Sequence, residues 1–511
     1  MFISLMLLSV HQNLYKMKKL LLLSVTLLVS ILILVGFSFK KKHPQLSATS
    51  TAINCIVPAN IIAITDAEFK ARYNPNVVMV RKNVYSLTAA EITSIKTGVT
   101  AMKALPYTNK TSWLYQAAIH GTTLPDNLPS WNTCHQAGAS FFFLAWHRMY
   151  VYFFERILRA KSGNASLTLP YWNYQTNAVI PPDWRNSAAG NPLYDGTRSA
   201  TLNAGGSLPA SIMTSINNAL DLVPYYDFQT SLNGPHGSVH TTINGNMYST
   251  YTAAQDPVFW LHHCNIDRLW EEWARKCGGR ANPTDAPWLT KTYTFFDENG
   301  TAVSMNGSQV VKTATQLNYK YDFPFKLPCD FKFINRWVFA QKIYLIRKVA
   351  PLMLDGRIQK VSFRQEKADE LDNFVRTTKK TRFNFSSTTA PEKLMISLGG
   401  VKIDKMPEGV VEVYLNLREG ETPTANSKSF VGLLDLFEAD HHQKMKGMGE
   451  PDDIEMDASK AAQALGLTLA DLKNAEISLV VRGNTLRGQE VKTEAKVTIQ
   501  RTNFSIRQLN K

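Results

Sequence analysis

Seven of the eleven histidines in this 511-residue chain fall between positions 120 and 263. They form two groups: His120, His135 and His147, then His236, His240 and the adjacent pair His262 and His263. A lone histidine on an apolar helix is more often a packed or solvated side chain than a ligand, but two separate groups point to a shared task. His236 and His240 are four apart, so on a helix both rings share one face and can grip one ion. His147 stands inside FFFLAWHRMYVYFF, an apolar stripe that would bury it. A buried imidazole needs a partner, and a metal ion supplies one. The fold is therefore expected to bring distant segments onto one centre.

The missing motifs narrow the choice of metal. Five cysteines are present, and no pair forms the CxxC spacing of a structural zinc or redox site. Gly237 follows His236, so the HExxH pattern of a zinc protease is absent. Neutral imidazoles in two sets of three suit copper, among other transition metals.

The length suggests two domains with appendages. An apolar content of 44% is ample for real cores and excludes a largely disordered or collagen-like chain. The net charge of +15 is not a nucleic-acid signature. Six lysines and no acid lie in residues 1–42, and the remainder shows no basic run interleaved with aromatics. No nucleic-acid partner is expected.

Residues 20–37 are an uncharged apolar run of 18 residues, preceded by Lys16, Lys18 and Lys19 and followed by Lys40 to Lys42. That length is about enough to cross a bilayer. Residues 1–42 read as a signal peptide or membrane anchor, so the chain is expected to be exported: periplasmic, secreted or membrane-anchored.

Further along, Thr88 to Glu91 reads as a capping box opening a helix that runs to about Ala104. A second helix is expected from Ser140 to about Ala160, and a third from Asp256-Pro257 through Trp273. Residues 180–235, dense in Pro, Gly, Asn and Ser, suggest a long structured loop region. Past Tyr321 the segments 410–417, 477–482 and 490–499 show β-branched or alternating patterns. The expected organisation is a mainly α domain over 43–325, a linker region over 326–389 and a β-rich domain over 390–511.

The segments WHRMYVYFFERIL (146–158), HGSVH (236–240) and DPVFWLHHCNIDRLW (256–270) closely resemble the copper-binding motifs of tyrosinases and catechol oxidases, type 3 copper proteins. LPYWNY (169–174) and Tyr319-Lys-Tyr321 resemble further landmarks of that family, the latter a Tyr-x-Tyr that packs on an arginine, here Arg81. The resemblance implies a helical bundle holding two copper ions. The first would be bound by His120, His135 and His147, and the second by His236, His240 and His263. The spacing from His135 to His147 is longer than the family's usual one. Helical periodicity alone does not choose between His262 and His263; the family pattern takes the second. It also implies that Phe259 lies against the second copper, that Thr250 gates substrate access, and that Asp267 orients a ligand ring from behind.

The implied activity is oxidation of o-diphenols to o-quinones, with O2 reduced to water and small phenols as substrates. Relatives that hydroxylate monophenols commonly hold a water with a Glu or Gln and an Asn after the first histidine of the second site. Leu232 and Gly237 stand at those positions, so monophenol hydroxylation is expected to be weak or absent. The alternatives are a tyrosinase with full monophenol activity and a haemocyanin-like O2-binding protein. The β-rich domain resembles one that covers the copper mouth in latent relatives.

Overall fold

The computed structural model describes residues 79–121, 139–276, 280–322, 338–348, 351–354, 358–362, 369–385, 392–444 and 453–510. The apolar run 20–37 and His135 lie outside them. Among the described residues no helix is long and apolar enough to cross a membrane.

Helices α1 (Ala89–Lys103), α2 (Trp113–Gly121), α3 (Ala139–Ser162), α4 (Ala210–Asp221), α5 (Tyr225–Ile243) and α6 (Pro257–Arg275) build the first part. The expected capping box opens α1: the Glu91 amide donates to Thr88 Oγ1 at 3.3 Å, and the Thr88 amide donates to Glu91 Oε2 at 2.8 Å. Asp256 caps α6, accepting from the Val258 amide at 2.8 Å, with Pro257 in the first turn. From Phe142 to Leu158 nearly every side chain of α3 is buried, so its aromatic run crosses the core instead of lying on it.

The expected loop over 180–235 is corrected by α4 and by the first half of α5. Helix α5 contains Gly234, Pro235 and Gly237, the residues that argue against a helix locally. Burial prevails: Phe228, Leu232, Val239 and Ile243 are wholly enclosed.

A short parallel pair joins β1 (Met79–Arg81) to β4 (Tyr319–Tyr321), closing the helical part by its two ends. Between them β2 (Thr292–Phe296) and β3 (Ala302–Asn306) form a hairpin.

The second part is β-rich, as expected. Its strands are β5 (Val338–Lys348), β6 (Leu352–Leu354), β7 (Gln359–Ser362), β8 (Glu392–Gly399), β9 (Lys402–Lys405), β10 (Gly409–Leu415), β11 (Phe430–Leu433), β12 (Ile454–Asp457), β13 (Glu476–Gly483), β14 (Thr485–Leu486), β15 (Gln489–Glu490), β16 (Lys496–Ile499) and β17 (Arg501–Asn510). Two four-stranded sheets, ordered β11-β10-β13-β7 and β12-β8-β17-β5, share one apolar core with a three-stranded sheet, β6-β16-β9. Strands β5 to β7 and helix α7 (Asp369–Thr378) fall where a linker was expected. Strand β5 pairs with β17 over its whole length, so the β-rich part begins by residue 338. The mixed texture of that stretch hid strands whose partners lie far along the chain.

Strand β10 is buried on both faces. Val411, Val413 and Leu415 enter the β core, while Val410 and Tyr414, on the alternate face, join the helical core. Helix α8 (Leu436–Lys444) packs against α5, and Lys393 bridges Asp227 of α5 at 2.7 Å and Asp457 at 2.9 Å.

Candidate metal centre

Four helices deliver the imidazoles. His120 ends α2, His147 sits mid-way in α3, His236 and His240 lie one turn apart on α5, and His262 and His263 lie in α6. All six are buried. Ligand atoms of His120, His147 and His263 lie within 4.8 Å of one another, as do those of His236, His240, His262 and His263.

Main-chain carbonyls orient three of the rings. His120 Nδ1 meets Thr250 O at 2.9 Å, His147 Nδ1 meets Phe143 O at 2.8 Å, and His240 Nδ1 meets Met247 O at 2.9 Å. A carbonyl accepts only, so Nδ1 carries the proton in each ring and Nε2 keeps the lone pair. Those lone-pair nitrogens point at other imidazoles: His120 Nε2 and His147 Nε2 are 3.5 Å apart, and His240 Nε2 and His263 Nε2 are 3.2 Å apart. Between His120 and His147, whose Nδ1 atoms both carry the proton, two lone pairs face each other and repel unless a cation lies between them. An ion bound about 2.0–2.1 Å from each nitrogen in a near-tetrahedral set holds neighbouring nitrogens roughly 3.3–3.4 Å apart. The spacings fit that arrangement. Both nitrogens of His236, Nδ1 of His263 and Nε2 of His262 are buried without a hydrogen-bond partner among the described residues.

Burial also sets the protonation state. It pushes His120 down to about 4 and His262 down to about 3. His147, His236, His240 and His263 fall well below the ordinary imidazole value, through burial first and neighbouring imidazoles second. At neutral pH all six are uncharged, the form that binds a metal.

His135 lies outside the described residues, and the other candidate site residues lie within them. His263 belongs to both groups, with its ring stacked on His147 at 4.3 Å and 11°. His262 joins the second group as well: it stacks on His236 at 5.3 Å, with Tyr174 Oη 3.4 Å from its Nδ1. Phe259 packs on His263 at 4.2 Å and edge-on to His120 at 4.9 Å. Thr250, expected at the mouth, is buried, and its visible contribution is the carbonyl that orients His120.

Among the described residues, Asp267 makes its hydrogen bonds to arginines and tyrosines and not to a ligand ring. Its carboxylate accepts from Arg81 at 3.1 Å, from Arg148, and from the hydroxyls of Tyr319 and Tyr321. Two buried guanidiniums outweigh the cost of burial and hold the carboxyl below its usual range. Arg81 packs over Tyr319 at 3.6 Å and donates to Tyr321 Oη at 3.2 Å, as the Tyr-x-Tyr pattern implied.

Sequence reasoning missed Phe437 and Asp435, which reach the centre from the β-rich part. The Phe437 ring stacks on His240, and Asp435 lies against Gly237. No local signal marks either, because their contacts exist only after the two parts dock.

Residues 110–208 and 198–276 match the family model described as the common central domain of tyrosinase, and residues 282–335 match the polyphenol oxidase middle domain. The tyrosinase HcTyr1 of Hahella sp. is 34% identical over 301 residues, covering 48% of this chain and 64% of that protein. The latent chloroplastic polyphenol oxidase of Prunus armeniaca is 28% identical over 289 residues, 48% of each chain. The chain thus spans between about half and just under two thirds of these relatives' lengths. Among solved structures, a latent aurone synthase (polyphenol oxidase) superposes with a TM-score of 0.59 at 20% identity, covering 88% of this chain and 94% of that one. Latent apple tyrosinase gives 0.51 at 17% identity, covering 86% and 99%. Both share the order of a helical part followed by a β-rich part. Residues 110–276 and 282–335 thus carry the central and middle domains of the tyrosinase/polyphenol oxidase family of type 3 copper proteins, and the histidine groups fit a binuclear copper cofactor.

Proposed function

We propose that this chain is a copper-dependent phenol oxidase that converts o-diphenols to o-quinones, with little or no hydroxylation of monophenols. The convergence of neutral, buried imidazoles with facing Nε2 atoms carries this reading. His120 and His147, with His135, would hold one copper; His236, His240 and His263 would hold the other. When bound, the pair supplies the electron relay between diphenol and O2: two diphenols give four electrons and four protons to one O2, leaving two quinones and two waters.

The protein's own part is positional. Carbonyls of Thr250, Phe143 and Met247 fix three rings so that only Nε2 faces inward. Phe259 packs edge-on to His120 and against His263, setting an apolar wall beside both rings.

The preference for diphenols rests on what lies beside His236. A monophenol must lose a proton with a pKa of about 10 before it can act as a phenolate. Leu232 and Gly237 offer no base. The nearby carboxyl of Asp435 is pushed above the usual range by burial and by Glu438, and it is already engaged by the Glu438 amide at 3.1 Å, where it caps α8. It also belongs to the β-rich part.

The same contacts support a shielding role for that part, since Phe437 covers His240. A second reading, an O2-binding protein whose β-rich part bars substrates, is favoured by the same ring. Cleaving the copper-loaded chain between Asp322 and Val338 and then offering catechol separates the two. Quinone formation supports the oxidase. Reversible O2 binding without quinone, at two coppers per chain, supports the carrier.

A further inference from the structure

Helix α5 turns two glycines, Gly234 and Gly237, toward the β-rich part. Three residues apart, they lie on one helical face. A Cβ built on Gly237 would fall well inside van der Waals contact distance of Asp435 Oδ1 and 2.7 Å from Asp435 Cγ. One built on Gly234 would lie 2.8 Å from Leu433 O. Both intruding groups belong to the short segment that leads into α8.

That segment has little freedom to retreat. The Glu438 amide donates to Asp435 Oδ1 at 3.1 Å, so the carboxyl caps α8 and is anchored from its own side. Asn233 of α5 donates to Glu438 Oε2 at 3.3 Å, one turn from the notch. Two residues after Asp435, Phe437 lies on His240 at 4.1 Å. Filling the notch and covering the ligand ring are therefore acts of one rigid segment.

We propose that Gly237 is the interlock that lets the β-rich part close: Phe437 reaches His240 only because position 237 carries no side chain. The inference rests on the shielding role described above. It also joins two properties that look independent. A side chain at 237 able to hold a water beside His236 and a closed β-rich part exclude each other. The missing water-holding group is thus a structural condition of latency.

The test uses the full, copper-loaded chain with Gly237→Ala. Alanine is the better helix former, so α5 is expected to fold. Two quantities are read: the ratio of catechol turnover after and before cleavage between Asp322 and Val338, and hydrogen exchange of the α8 amides in the uncleaved chain. Overpacking at this contact should lower the ratio at least about fivefold and speed α8 exchange. The double variant Gly237→Ala with Asp435→Ala should return the turnover ratio toward the parent, because the colliding carboxyl is gone; exchange is read only in the single variant, since Asp435→Ala also removes the α8 cap. A parent ratio well above one with an unchanged Gly237→Ala ratio and unchanged exchange overturns the interlock alone. A parent ratio near one overturns the shielding role, and the interlock with it.

Discussion

The ring of Phe437 lies 4.1 Å from that of His240 and within 11° of parallel, while His236 meets the same ring edge-on at 6.0 Å. On the proposed shielding role, a phenol reaching the second histidine group would displace the Phe437 ring. Phe437→Ala should raise catechol turnover of the uncleaved, copper-loaded chain severalfold, with two coppers retained. Initial rates before cleavage, beside a copper assay, check this; equal rates would place the barrier elsewhere in the β-rich part.

His263 faces both histidine groups, whereas His262 faces one. His263→Ala should therefore lower copper content in both positions and abolish oxidation. His262→Ala should spare more of each, since it removes a ring stacked behind His236. Copper stoichiometry of the two purified variants decides, and reversed losses would exchange their roles.

Asp267 is the anion between Arg81 and Arg148. Asp267→Asn leaves two guanidiniums buried with less compensation, and breaking such a pair costs about 3–5 kcal/mol. The remaining carboxylates, Glu155 beside Arg81 and Glu271 beside Arg148, favour the lower end. Urea unfolding should show that loss while the folded fraction keeps its copper. Lost copper at unchanged stability would instead indicate a role in orienting a ligand.

The copper-free chain should weaken in mild acid. The buried imidazoles have folded-state values below the ordinary 6.5, His120 at about 4. Between those values the unfolded chain binds more protons, so stability rises with pH. The contribution is complete above about 6.5 and is lost as pH falls toward 4, with a slope of up to about 1.4 kcal/mol per unit for each such histidine. Thermal melting of the copper-free chain from pH 7 to pH 5 should show a falling midpoint.

Tyrosine and its o-diphenol should be turned over very unequally. With Leu232 and Gly237 beside His236, the cleaved, copper-loaded enzyme should oxidise the diphenol at once and the monophenol slowly, after a long lag. Comparable rates without a lag would reveal a base.

The copper helices could be read from local features: a capping box at Thr88, an Asp-Pro start at Asp256, an aromatic run around His147. Each acts within one turn of its own position. Helix α5 was less visible, because Gly234, Pro235 and Gly237 oppose a helix that only burial sustains. Strands β5 to β7 were missed for a similar reason: β5 has meaning only beside β17. Asp267 was placed on the right helix but given the wrong partner, since its arginines come from β1 and α3. Phe437 and Asp435 carry no motif, and their role is made entirely by docking.

Strand β17, C-terminal to every other described strand, lies inside its sheet with β8 on one side and β5 on the other. During synthesis that sheet cannot complete itself until residues 501–510 have emerged. The helices that carry the histidines and the β1–β4 pair that closes them end at residue 321, while Val410 and Tyr414 join their core later. Domains fold in the order in which they are made. All six histidines of the candidate centre and the helices that hold them are therefore made before the strand that completes this sheet.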